Sequence, residues 1–170
     1  KHSPAYIRNF FLPVKKVIFI LSIYLTNLIL VLIQVVIILG ISFAFLPEFL
    51  NSIPLMSLIL FLAASVFTFL GMAIGYVFTS EDTAVLGSIS LGSLLLFFSG
   101  MILPLEGVSS AVREATFYNP FVIAEKLVRE VFIFKTGFSE VWIDLGFLFI
   151  YVVVLFLAIL VLQSLLHSHL

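Results

Sequence analysis

"SGMILPLEGVSSAVREATFYNPFVIAEKLVRE", Ser99–Glu130, is the stretch whose reading decides how this chain folds. It follows a long apolar run and begins like the end of a membrane span, but Gly100 and Pro104 interrupt it, and Asn119-Pro120 interrupts it again. Beyond the second break, Val122 to Phe134 puts Glu125, Lys126, Arg129 and Glu130 on one helical face, with Glu125 to Arg129 and Lys126 to Glu130 both at i,i+4 spacing. Val122, Ile123, Leu127, Val128, Val131 and Phe132 fill the rest of the circumference. Such an amphipathic helix is roughly 20 Å long, too short for a hydrocarbon core of about 30 Å. It lies in, or dips into, one interface.

Between the two breaks, Val108 to Tyr118 is expected to form another short helical piece, which Asn119-Pro120 ends because proline disfavours helical geometry in its predecessor. Non-helical backbone at membrane depth is tolerated only where protein or water satisfies its polar groups. The broken pair is therefore expected to pack against a bundle near a cavity mouth. An ordinary amphipathic surface loop is the alternative.

Working outward, the composition calls for lipid. Of 170 residues, 63% are hydrophobic and 10% charged, and the mean hydropathy is +1.33; a soluble domain is about half apolar and a quarter charged. Each helical crossing needs about 20 apolar residues. Four such runs are present, at residues 17–46, 55–78, 84–103 and 141–166. The expected fold is all-α, a polytopic membrane protein forming one transmembrane domain over residues 1–170. Its four transmembrane helices are joined by "PEFLNSIP" (Pro47–Pro54), by "TSEDT" (Thr79–Thr83), where Asp82 or Ser80 can cap the next helix, and by the hybrid segment at residues 106–137. The last run opens with Ser139, Glu140 and Asp144, carboxylates that suit a helix N-terminus.

Several function classes fall away. A net charge of −1 supplies no basic surface for nucleic acid. The chain has no cysteine, which excludes disulfides and thiolate chemistry. It holds no phosphate loop, no H-E-x-x-H pair and no G-x-S-x-G elbow, and its histidines, His2, His167 and His169, sit at the two ends. Two imidazoles alone make an incomplete metal site. Catalysis, metal binding and a cofactor are not expected. The chain opens on Lys1 with no signal peptide before the first span, and is expected to be part of a longer one.

Three polar or small-residue patterns remain as candidate sites. In the first span, Asn27 and Gln34 are seven residues apart and share a helix face with Tyr24 nearby. Polar side chains in hydrocarbon face the bundle interior or a wet path, so this stripe is a candidate substrate path, with interhelical hydrogen bonding as the bland alternative. Gly71 and Gly75 form a G-x-x-x-G, repeated in small-residue form by Ser88 and Gly92, for which packing within the chain is the default. "SPAYIRNFFLPVKK", Ser3–Lys16, is read over residues 1–14 as an interfacial helix, with Lys15 and Lys16 anchoring the junction to the span. It either lies on lipid or docks on a soluble partner.

Orientation by charge is nearly balanced. Lys1, Arg8, Lys15 and Lys16 flank the first span, and Arg113, Lys126, Arg129 and Lys135 occupy the other side. The second set lies in a longer segment, which counts for less, and this favours a cytoplasmic N-terminus.

Taken in order, "LPVKK" entering a long span, a G-x-x-x-G span, "SG-x-x-x-P", "NP" and a charged helix with a closing Arg resemble the C-terminal portion of type 2 ATP-binding-cassette exporter permeases. The likeness covers nearly the whole chain. It implies a transport subunit of the cell membrane, with its N-terminus cytoplasmic and ATP hydrolysis on a separate cytosolic ATPase. It implies a second permease subunit, in a homo- or heterodimer. By the same resemblance, Tyr6, Arg8 and Phe10 would contact the ATPase from a coupling helix. Pro104, Asn119, Pro120, Glu125 and Arg129 would belong to an outer-side re-entrant pair. Six spans per subunit are usual in that family, so the chain is expected to be a fragment lacking the first two, with a shortened permease whose other helices come from another chain as the alternative. A small channel-forming subunit and a non-transporting scaffold subunit are the competing readings.

Overall fold

The computed structural model describes residues 16–45, 52–102 and 109–168. Among them are six helices: α1 (Lys16–Phe45), α2 (Ile53–Val77), α3 (Glu81–Phe97), α4 (Ser110–Phe117), α5 (Pro120–Ile133) and α6 (Phe138–Ser168). The described residues form no strand. The expected interfacial helix over residues 1–14, and with it Tyr6, Arg8 and Phe10, lies outside the described residues, as does Pro104.

Three helices are long and apolar enough to cross a membrane, over Val17–Ala44, Ile53–Val77 and Phe138–Ser164. These correspond to the first, second and fourth expected spans. The third differs: α3 is 17 residues long and ends at Phe97, six residues before the expected boundary. The stop is local. The Ser99 hydroxyl turns back on the Leu96 carbonyl at 2.6 Å, and Gly100 takes φ 81°, a left-handed conformation that glycine adopts without a Cβ clash. At its other end Ser80 Oγ accepts from the Thr83 amide at 3.2 Å, so of the two expected caps Ser80 fills the position, while Glu81 and Asp82 sit in the first turn.

α2 is the centre of the bundle and touches α1, α3, α5 and α6. α2 and α6 run parallel. Near their starts Met56 and Ile59 share one core cluster with Val141 and Leu145, and near their ends Met72 and Tyr76 share another with Ile159. α1 runs antiparallel to both. Ile20 meets the second cluster and Leu39 packs against the first, while most of its other side chains face outward. α3 contacts α2 and α5 but buries none of its residues. Outward apolar faces of this kind are what a bilayer solvates.

Candidate functional site: the folded-back helix pair and the α1–α2 groove

α5 buries Ile123, Leu127 and Val131, one turn apart, against α2 and α6. Its start and end fix its path. Phe121 meets the ring of Phe67, midway along α2, at 6.4 Å between centroids. Val131 shares a cavity wall with Pro54 and Leu55 at the start of α2. α5 thus runs from the middle of the bundle to one end, antiparallel to α2 and α6, and the bend joining it to α4 sits at mid-depth.

That bend is a run of non-helical backbone among apolar helices, and its polar groups are accounted for. Asn119 Oδ1 accepts from the Phe121 amide at 3.0 Å and caps α5, with Pro120 in the first turn where a missing amide costs nothing. The Asn119 Nδ2 group reaches across to α3 and donates to the Leu95 carbonyl at 2.7 Å and the Phe98 carbonyl at 3.4 Å. These are among the last carbonyls of α3, left without helical donors where it ends. From α6, the Tyr151 hydroxyl donates to the Tyr118 carbonyl. Thr116 is buried and donates to the Val112 carbonyl at 2.9 Å. Asn119, which is buried, therefore ties α5 to α3, and the Tyr151–Tyr118 bond ties the same bend to α6. A cavity of about 600 Å³ lies beside them, between the end of α3 and α4.

The charged face of α5 is exposed and paired. Arg129 bridges Glu125 as its spacing requires. Lys126 lies 3.9 Å from Glu130 but makes its closer contact, 2.7 Å, with Asp144 of α6. The hydrogen bond to Asp144 raises the Lys126 pKa above its ordinary value, against the opposing effect of partial burial. Nothing in the sequence pairs these two residues. The available signal is Asp144 itself, a carboxylate set among apolar residues that needs a cation within reach.

The polar stripe of α1 divides. Tyr24 turns inward, sharing a 2.7 Å hydrogen bond with Ser65 of α2 and stacking on Phe69 at 4.4 Å. Asn27 lines a groove of about 760 Å³ between α1 and α2, its Nδ2 group donating to the Ile23 carbonyl at 2.9 Å. Gln34 shares the direction of Asn27 on α1 but is not among the residues lining the groove, and it is exposed. Gly71 and Gly75 line the opposite wall. A Cβ built on either glycine meets nothing within 4 Å, so this G-x-x-x-G does not pack against a neighbouring helix of the chain. Packing within the chain, the sequence default, is corrected here: the close approach of α1 to α2 runs through Tyr24 with Ser65 and Phe69, on the part of α2 adjoining the groove.

With three helices long and apolar enough to cross a membrane, the fold is that of an all-helical, multi-pass membrane protein, its polar groups gathered in a lateral groove and at a mid-depth bend. A family model described as "ABC-2 family transporter protein" matches residues 1–161, and the chain belongs to that family, the permease component of ATP-binding-cassette transporters. The chain matches no curated protein and no solved structure.

Proposed function

We propose that the chain is the membrane-spanning subunit of an ATP-driven exporter, that it forms the substrate path, and that it couples to a separate cytosolic ATPase. The folded-back α4–α5 pair carries this reading. A helix of 14 residues that enters the bundle to mid-depth without crossing is a plug for one end of a path that opens only transiently. With Pro104, Glu125 and Arg129 on the same segment, that end faces outward, the N-terminus is cytoplasmic, and the membrane is the plasma membrane. The fourth crossing is the one expected at residues 84–103, of which α3 supplies the helical part as far as the bend at Asn119. The four spans then form the C-terminal portion of a six-span permease, which pairs with a second permease subunit.

In this mechanism ATP closes the two ATPase subunits and the coupling helix bearing Tyr6, Arg8 and Phe10 moves with them. α1 follows, because it continues directly from that segment, and α2 is drawn along through the Tyr24–Ser65 bond and the Phe69 stack. Substrate that binds the two conformations with different affinity must alter ATP turnover, since coupling is reciprocal. The test is the assembled complex. Arg8→Glu and Tyr6→Ala should uncouple ATP hydrolysis from transport; unchanged hydrolysis and transport in both variants would reject the coupling assignment. Nucleotide-independent conductance would favour a channel instead.

A further inference from the structure

The α1–α2 groove has a chemistry of its own, and we infer that it is a binding site for an uncharged amphipathic molecule drawn from the bilayer, with a hydroxyl- or amide-bearing head and an apolar body. This rests on the transport reading and names the substrate class for it.

Three observations carry the inference. Size comes first: about 760 Å³ falls within the 300–1,000 Å³ typical of small-molecule sites. Gly71 and Gly75 create that space, with 4 Å clear around any Cβ placed there. Polarity is the second. Asn27 and Thr68 line the groove from opposite helices. The Asn27 Nδ2 group is engaged by its own helix, while among the described residues no group bonds the Asn27 Oδ1 atom or the Thr68 hydroxyl. One acceptor and one hydroxyl thus line the same groove in hydrocarbon, where a ligand hydroxyl or amide can donate to Asn27 Oδ1 and accept from the Thr68 hydroxyl. Third, none of the residues lining the groove is ionisable as an acid or a base near neutral pH, so a charged head has no counter-charge there.

Extent argues against a crossing helix as the occupant. The groove runs from Ile23 to Val31 on α1 and from Ala64 to Tyr76 on α2, roughly 12 and 18 Å at the helical rise. Beyond it, Ile20 on one side and Leu39 on the other bring α1 back against the bundle. A transmembrane helix needs an uninterrupted valley of about 30 Å. A single-chain amphipath needs only what is present.

The test uses the full chain in lipid nanodiscs and a monoacylglycerol carrying a diazirine in its acyl chain, with the same chain on a carboxylate and on a trimethylammonium head as comparisons. Photolysis followed by peptide mapping should concentrate the neutral probe's label on residues 23–31 and 64–76. Gly71→Leu, which fills open space and so leaves folding intact, should cut that labelling at least fivefold, as should Asn27→Leu combined with Thr68→Val. Label spread evenly over the outward faces of α1 and α3 would overturn the inference, as would equal labelling by the charged probes or indifference to Gly71→Leu. Groove-specific labelling by a compound that leaves ATP turnover of the assembled complex unchanged would uphold the site and reject the coupling reading instead.

Discussion

The Tyr151 hydroxyl of α6 donates to the main-chain carbonyl of Tyr118, the last residue before the Asn119-Pro120 bend. Tyr151 stands about 20 Å along α6 from Phe138 at 1.5 Å per residue, far from either end of a helix that runs to Ser168. This bond therefore marks how deeply the α4–α5 pair enters. Among apolar helices, Tyr151 supplies this carbonyl with a donor. Tyr151→Phe should lower stability by about 1 kcal/mol, the scale of interhelical hydrogen bonds in membranes, with helix content unchanged. Reversible unfolding in mixed micelles measures it; a wild-type midpoint would mean the carbonyl is already hydrated and the bend lies near an interface.

Asn119 makes two kinds of bond that two substitutions separate. Asn119→Ala removes both the α5 cap and the ties to Leu95 and Phe98. Asn119→Asp keeps the capping oxygen but replaces the donor with a second acceptor facing two carbonyls. If the tie to α3 matters, Asp is no better than Ala, and each costs about 2 kcal/mol. Should Asp behave like wild type in the same unfolding assay, the residue is only a cap.

Much of this architecture was legible in local sequence. The uncharged run expected from residue 17 to 46 is α1, and Asn119-Pro120 separates α4 from α5 where proline geometry requires. The Glu125–Arg129 pair follows from i,i+4 spacing. What escaped is relational. Lys126 selects Asp144 over Glu130, Asn119 reaches Leu95, and Tyr24 leaves the stripe of Asn27 for Ser65. Each depends on the register between two helices, which periodicity within one helix does not encode. The glycines illustrate the same limit: G-x-x-x-G specifies a small surface, while the neighbour that faces it is set by how α1 crosses α2.

Glycines in α2 and α3 should respond differently to alanine. Gly75 has open space around it, so Gly75→Ala should stabilise α2 by up to about 1 kcal/mol through helix propensity alone. Gly87 has the ring of Phe78 2.6 Å from the position of its Cβ. Gly87→Ala has to displace that ring, and should rank below Gly75→Ala by about 1 kcal/mol. Thermal unfolding of the two variants in one detergent gives the order; equal gains would show that the Phe78 ring moves freely.

Lys126 and Asp144 join α5 to α6 at the exposed edge of the pair, and the lysine side chain is 52% exposed, so the bond should be worth less than about 1 kcal/mol in a double-mutant cycle. The pH dependence has a definite sign. Because Asp144 raises the Lys126 pKa, the stabilisation is fully present below the unfolded lysine value of about 10.4 and is lost as pH rises through the higher folded value. Stability should thus show no pH dependence from this pair between pH 6 and 9, where its stabilisation is fully present, and should fall only in strong alkali. Lys126→Met should abolish the alkaline step. Exchanging the charges, Lys126→Asp with Asp144→Lys, should restore only part of the coupling, because an aspartate at position 126 then faces Glu130 one turn away. Full recovery in the exchanged protein would mean that Glu130 takes no part; no recovery would mean that hydrogen-bond geometry, and not charge, holds α5 to α6.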